Sequence, residues 1–273
     1  MTIKNILVYF DATEEAHAAL SLALQMSRKY GAHVTGLIAR GAISDHVTRY
    51  VVDMANLGDQ VRAAEESAIE ASEKAFAQAT TALGDKAHWS RRDGRPDQVV
   101  AQASRYYDVV LIGQYDPKNG KSAFSALPDN IALQSGRPLI VVPKTVQPQF
   151  GEKAVVAWDG QRASARALSD AMQILETKTL VTILTVGRGD GAMEPGVNLI
   201  REHLSRHGVK TEWARLRPKL FSVADAILEW CVANPQDLLV MGAYEHSKFR
   251  EDLVGGVTNS VLRNVTIPVL LAH

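Results

Sequence analysis

The sequence has little cysteine and no excess of charge of either sign. Cys231 is the one cysteine among 273 residues, so no disulfide can form within the chain, which favours a reducing compartment. Lysine plus arginine and aspartate plus glutamate both total 30. A net charge near zero gives no general reason to bind nucleic acid or an anionic membrane.

Long apolar runs and export signals are also missing. No apolar run reaches the roughly 18 residues that a membrane-spanning helix needs. The opening residues MTIKNILVYF lead straight into a predicted strand, without the basic start, apolar core and cleavage site of a signal peptide. We therefore expect a cytoplasmic protein that binds neither membrane nor nucleic acid.

What the sequence does contain is an internal repeat. YDVVLIGQYD at 107–116 and QDLLVMGAYE at 236–245 share an aspartate, an apolar run, a glycine, a tyrosine and an acid in register. ILVYFD at 6–11 matches AVVAWD at 154–159 in the same order. Apolar runs of this kind are typical of buried parallel strands, and their alternation with helical patterns indicates βαβ units. The sequence therefore predicts an α/β fold of two tandem Rossmann-like domains, each a five-stranded parallel sheet with helices on both faces.

The two predicted domains meet at TVQPQFGE, residues 145–152, which has proline, glycine and no hydrophobic periodicity. We assign residues 1–146 to the first domain and 152–273 to the second. The first half is longer, and its surplus includes a predicted alanine- and glutamate-rich helix over 57–83.

The second half ends in a glycine-containing loop before a predicted helix. From Leu238 to His273 the chain resembles the universal stress protein family in its tandem form, and the resemblance extends over both halves. The family's nucleotide motif is glycine, two residues, glycine, nine residues, glycine, then serine or threonine. This sequence has Gly242, Glu245, Gly255 and Gly256 there, so two of the four positions match. Glycines let backbone N–H groups approach phosphate oxygens, and the positive N-terminus of the next helix would point to the same place.

The resemblance implies a ligand site at the carboxyl ends of the second-half strands. By that resemblance, Asp159 would contact adenine, and Val186 would meet the base through its backbone. The residues that would surround the ribose and phosphates are Met241, Gly242, Gly255, Gly256, Val257 and Thr258. The implied ligand is ATP or another adenine nucleotide, with Mg²⁺.

Departures from the motif weaken this expectation, most strongly in the first half. A Glu245 carboxylate about 6 Å from one phosphate charge would cost about 3 kcal/mol at an effective dielectric constant of about 20, which Mg²⁺ or rotation into solvent would relieve. Thr258 would replace the hydroxyl that Gly256 does not supply. The corresponding first-half positions are Asp116, Ser125, Ala126 and Pro128, so we do not expect the first half to bind a nucleoside triphosphate.

Several features also have a purely structural interpretation. Gly255-Gly256 is equally well explained as a tight turn, and Asp11 and Asp159 would brace strand ends or cap the next helices. His203 and His207 share a predicted helix face but lack a third metal ligand. The features that remain are Cys231, interpreted as a core thiol, and Arg91, Arg92 and Arg95, interpreted as a solvated rim or as a cluster facing an anion.

The sequence thus predicts a universal-stress-like protein with a regulatory or protective role, possessing a nucleotide site in its second half. The alternative is a protein-interaction module that binds no nucleotide and acts through dimerisation or partner contacts. We expect a homodimer and an unidentified protein partner. ATP hydrolysis is the least favoured function, because no general base or pair of metal-binding carboxylates is identifiable.

Overall fold

The computed structural model describes residues 2–41, 55–114, 128–144, 150–187, 196–217, 222–243 and 256–273. The first half contains β1 (Asn5–Tyr9), α1 (Glu14–Tyr30), β2 (His33–Arg40), α2 (Ala55–Ala79), a 3₁₀ helix (Thr81–Lys86), β3 (Ala87–Asp93), α3 (Pro96–Ser104), β4 (Val109–Gly113), α4 (Pro128–Gln134) and β5 (Leu139–Val142). The second contains β6 (Lys153–Ala157), α5 (Arg162–Leu175), β7 (Leu180–Val186), α6 (Val197–Arg206), β8 (Thr211–Leu216), α7 (Val223–Ala233), β9 (Leu238–Gly242), α8 (Val257–Asn264) and β10 (Val269–Ala272).

The strands form one ten-stranded sheet in the order β3-β2-β1-β4-β5-β10-β9-β6-β7-β8. The five strands of each half run parallel to one another, and the α/β, Rossmann-like class is confirmed. The two halves are joined where β5 and β10 pair antiparallel, with Val141 opposite Val269 and Leu139 opposite Leu271. The expected pair of separate sheets is therefore a single continuous sheet. The division into domains at 1–146 and 152–273 stays a prediction.

Helices cover both faces of the sheet, as predicted. Buried side chains of α1, α2, α5 and α6 pack on one face together with Ile6 and Val8 of β1. Those of α3, α4, α7 and α8 pack on the other face with Leu7 and Tyr9. Because successive strand residues point to opposite faces and both faces are covered, each central strand reads as a continuous apolar run.

Local signals explain the bounds of α1. The Thr13 side chain accepts a hydrogen bond from the Ala16 N–H at 3.2 Å, which caps the start of the helix. Gly31 adopts a left-handed φ of 68° and donates its N–H to the Ser27 carbonyl at 2.8 Å. Threonine is a favoured helix N-cap and glycine a favoured C-terminal stop, so the local sequence accounts for both ends of α1.

The long second helix of the first half is present as α2, which has 25 residues against 10 in its counterpart α6. Near its C-terminus, α2 packs against Gly36 of β2 through Phe76. A Cβ at Gly36 would lie 2.7 Å from both the Phe76 ring and the Trp89 ring, so this glycine admits the aromatic cluster. At about 37 Å, α2 extends far beyond the strands that it covers.

A small cluster at the junction of the halves joins α1 to the start of the second half. The Tyr30 and Phe150 rings meet edge to face with centroids 5.8 Å apart. The Lys178 Nζ lies 4.3 Å from the Phe150 centroid and donates to the Gly151 carbonyl at 2.5 Å. On the opposite face, the Gln114 side chain donates to the Leu262 carbonyl at 2.8 Å. Contacts on both faces thus reinforce the pairing of β5 with β10.

None of the helices in the described ranges combines the length and apolar character that crossing a membrane requires.

Candidate functional site

The carboxyl ends of β6, β7 and β9 lie side by side. Strand β6 pairs with β7 on one side and with β9 on the other, so that Ala157 stands opposite both Leu184 and Met241. Asp159 follows β6 by two residues, Val186 ends β7, and Gly242 ends β9. The sheet therefore brings the expected adenine-contacting residues and the first glycine of the loop to one edge, where α/β sheets bind ligands.

Asp159 braces the turn before α5. Its carboxylate accepts a hydrogen bond from the Gln161 N–H at 2.9 Å and is exposed, so a ligand can reach it. Asp11 makes the equivalent bond, accepting from the Thr13 N–H at 3.2 Å and from the Thr13 hydroxyl at 2.6 Å. The structural interpretation is thus observed in both halves. The two carboxyls differ in burial, which raises the pKa of Asp11 in spite of its bonds to Thr13.

Gly242 is required by packing. A Cβ at this position would lie 2.6 Å from the carbonyl carbon of Ala163 and from the Ser164 nitrogen in the first turn of α5. A Cβ at Gly113 would lie 2.5 Å from the carbonyl carbon of Glu15 in α1. Each glycine lets a helix approach the end of a central strand. Its repetition in both halves therefore reports on helix packing and does not by itself indicate phosphate binding.

Gly256 has a different setting at the start of α8. Its φ of −67° and ψ of 159° are open to any residue, and no atom of the described residues lies within 4 Å of a Cβ placed there. Gly256 is the N-cap of the helix and, as a glycine, offers no side-chain acceptor to the first N–H groups. Val257 is partly exposed, whereas Thr258 is only 6% exposed and turns its side chain inward. This helix start is the feature of the edge that is best suited to an anion.

Gly255 and Glu245 lie outside the described residues, and so do Asp116, Ser125 and Ala126 of the first half.

The first half presents a poorer helix start at the corresponding place. Helix α4 begins at Pro128, which has no N–H to donate. The Asn130 side chain donates to Asp97 at 2.7 Å and ties α4 to α3. Burial alone would raise the pKa of Asp97, but hydrogen bonds from Arg95 and Asn130 outweigh it and lower that pKa. The interactions around α4 thus hold this helix against α3.

A cleft that the sequence did not reveal lies in the first half. It measures about 400 Å³ and is lined by Arg40, Gly41, Arg62, Glu65, Glu66, Asp93 and Gly94. Arg91 of the predicted basic cluster pairs with Glu66, and Arg95 pairs with Asp97 at 2.9 Å, so much of that cluster is neutralised. The signal in the sequence was the spacing of Arg62, Glu65 and Glu66 on one face of α2, which is also typical of a solvated helix.

The other candidate groups have structural roles. The His203 and His207 rings lie 5.0 Å apart, and His207 pairs with Glu176 at 3.1 Å. In the parts of the chain that the structure describes, no three His, Cys, Asp or Glu side chains are grouped to hold a metal ion. Burial raises the pKa of Cys231 to about 12, as befits a core thiol.

Comparison with known proteins identifies the family to which this chain belongs. The sequence model described as the universal stress protein family matches residues 2–143 and 219–273. This chain belongs to the universal stress protein family. The tandem arrangement that the repeat predicted agrees with matches in both halves.

A relative with a known family name agrees with this membership. The universal stress protein Slr1230 of Synechocystis is 30% identical over 177 residues, which cover 60% of this chain and 57% of that protein. The match therefore spans little more than half of that relative.

Solved structures show the same fold over the whole chain. A universal stress protein from Archaeoglobus fulgidus DSM 4304 superposes with a TM-score of 0.71 at 17% identity, covering 98% of this chain and 97% of that one. The protein PA1789 of Pseudomonas aeruginosa PAO1, described as functionally unknown, gives 0.62 at 14% identity, covering 99% and 92%. At such low identities these likenesses describe the fold alone.

Proposed function

We propose that the second half of this universal stress protein binds an adenine nucleotide at the carboxyl ends of β6, β7 and β9. Its role would be regulatory or protective, exercised in the cytoplasm. The observation that carries the proposal is the N-cap of α8 at Gly256, which places no side chain before the N-terminus of the helix on the edge that also holds Asp159 and Gly242. Such a helix start attracts phosphate through its N–H groups and its dipole.

The absence of a side chain at Gly256 supports this proposal. Neither its backbone angles nor the packing of the described residues requires glycine there, in contrast to Gly242. A phosphate that lies against the backbone does require it, because a Cβ would hold the ligand away from the N–H groups.

In the proposed complex, adenine lies against Asp159 and the backbone of Val186, and the phosphates lie against the start of α8. Gly255, Gly256 and Val257 would supply the backbone there. Mg²⁺ would accompany the nucleotide and offset the charge of Glu245.

Calorimetry with ATP, ADP and AMP, each with and without Mg²⁺, tests the proposal. We expect saturable binding that strengthens with Mg²⁺ for ATP. No heat and no thermal shift at millimolar nucleotide would overturn the binding proposal and leave the family assignment intact.

The alternative function, an interaction module without nucleotide, has one observation in its favour. Strands β5 and β10 each pair on both sides within this chain, while the outer edges of β3 and β8 pair with no strand of the described residues. A homodimer formed by strand pairing would therefore use β3 or β8. Light scattering on the intact protein and on Arg91→Pro tests this route, because alternation from the Gly94 N–H, which donates to the Arg40 carbonyl of β2, turns the Arg91 N–H to the outer edge of β3. A dimer that Arg91→Pro dissociates would support pairing through β3.

A further inference from the structure

The first-half cleft has the size of a small-molecule site. The cleft has a volume of about 400 Å³. It lies at the carboxyl ends of β2 and β3, beside the part of α2 that contains Arg62, Glu65 and Glu66. Pockets for small ligands in proteins commonly measure about 300 to 1,000 Å³. What the cleft can bind is decided by the charges on its walls.

Its arginines are already neutralised. Arg40 pairs with Asp93 at 2.5 Å, and Arg62 pairs with Asp59 at 2.5 Å. Arg91, which does not line the cleft itself, pairs with Glu66. The lining itself carries two arginines and three carboxylates, which leaves an excess of one negative charge.

That excess is on Glu65. The residue is only 4% exposed, and its carboxylate accepts the Gly41 N–H at 2.7 Å. Among the described residues no lysine, arginine or histidine forms an ion pair with it, and Arg40, which its charge reaches, is bonded to Asp93. A buried carboxylate that no cation of the described residues bonds is costly, so the wall of this cleft favours a positively charged guest.

The kind of cation follows from the arrangement of these groups. No group of three ligating side chains is present in the described ranges, so the carboxylates of the cleft do not converge on one metal ion. An ammonium is a single compact charge that one carboxylate can bind while water accepts its remaining donors, so it needs no converging set of ligands. We propose that the first-half cleft binds a small aliphatic amine, with its ammonium paired to Glu65.

Calorimetry at low salt with putrescine as the probe tests this proposal, and butanediol, which has hydroxyls in place of the amines, is the matched control ligand. We expect saturable binding of putrescine and none of butanediol. Glu65→Gln keeps the acceptor for Gly41 but removes the charge, and is expected to weaken putrescine binding by about tenfold or more. Glu70→Gln, an exposed position on the same helix, controls for general loss of negative charge and leaves the affinity unchanged.

A second variant gives an effect of opposite sign. Arg62 lines the cleft with an exposed side chain, so Arg62→Ala removes a positive charge without a folding cost. We expect it to bind putrescine about threefold more tightly, because Asp59 is then no longer neutralised and the cleft becomes more negative. Absence of saturable putrescine binding, equal weakening by Glu65→Gln and Glu70→Gln, or weaker binding by Arg62→Ala would each overturn the proposal. The assay contains no nucleotide, so its outcome is independent of the second-half site.

Discussion

The backbone of Ala163 in α5 lies against Gly242 at the end of β9 so closely that a Cβ on the glycine would come within 2.6 Å of the Ala163 carbonyl carbon. The same relationship holds between Glu15 and Gly113 in the first half. Gly242 and Gly113 are thus both required by the close approach of a helix. The described residues impose no such requirement at Gly256.

The first prediction compares these glycines in unfolding experiments. Gly242→Ala and Gly113→Ala should each lower the free energy of unfolding by about 1–3 kcal/mol, because helix backbone must move to admit the methyl group. Gly256→Ala should leave it unchanged or raise it by up to about 1 kcal/mol, since its angles suit alanine and the unfolded chain loses freedom. Urea unfolding measures all three. A destabilised Gly256→Ala variant would show that packing needs this glycine as well.

The second prediction concerns the pH dependence of stability at the junction of the halves. Burial, opposed by Asp237, lowers the pKa of Lys178 from 10.5 to about 8. Between these values the unfolded chain binds a proton that the folded chain does not, so this lysine makes stability rise with pH there. Relative to Lys178→Met, the wild type should gain about 3 kcal/mol in its free energy of unfolding as pH rises through this window. Chemical unfolding at a series of pH values measures the difference, and a constant difference would contradict the assigned burial of the ammonium.

The third prediction concerns the reactivity of the single cysteine. Cys231 is 6% exposed, and burial raises its pKa to about 12, so little thiolate is present at pH 8 in the folded protein. Iodoacetamide should therefore label it at the rate of protein opening, and promptly in denaturant. Mass spectrometry over time measures the labelling. Fast labelling under native conditions would contradict the packing of α7.

Much of the fold is predictable from the sequence because it is encoded locally. The apolar runs were predicted as strands and are found as strands, and the Thr13 cap and the left-handed Gly31 likewise depend only on neighbours a few residues away. The pairing of β5 with β10 was not predicted, because hydrophobic pattern specifies which face is buried but not which edge is paired.

The site was harder to predict because its residues have roles that depend on distant contacts. Gly242 looks like a phosphate-loop glycine until the approach of α5 is known. Glu65 looks like one of many exposed charges on α2, and its burial and its bond to the Gly41 N–H depend on a contact 24 residues away in the chain. Asp159 was placed correctly at the strand end, where its turn-bracing bond and its exposure are both observed.

The most direct test of the nucleotide proposal is calorimetry with Mg-ATP on Gly256→Asp and Gly256→Asn. Both residues are good helix caps and should preserve or raise stability. The aspartate places a negative charge where the phosphates are expected, whereas asparagine has nearly the same shape without that charge. We predict that Gly256→Asn weakens ATP binding relative to the wild type, because its side chain crowds the helix N–H groups, and that Gly256→Asp weakens it by at least about a further tenfold, with both variants folded. Wild-type ATP affinity in Gly256→Asp would contradict the proposed position of the phosphates at the start of α8.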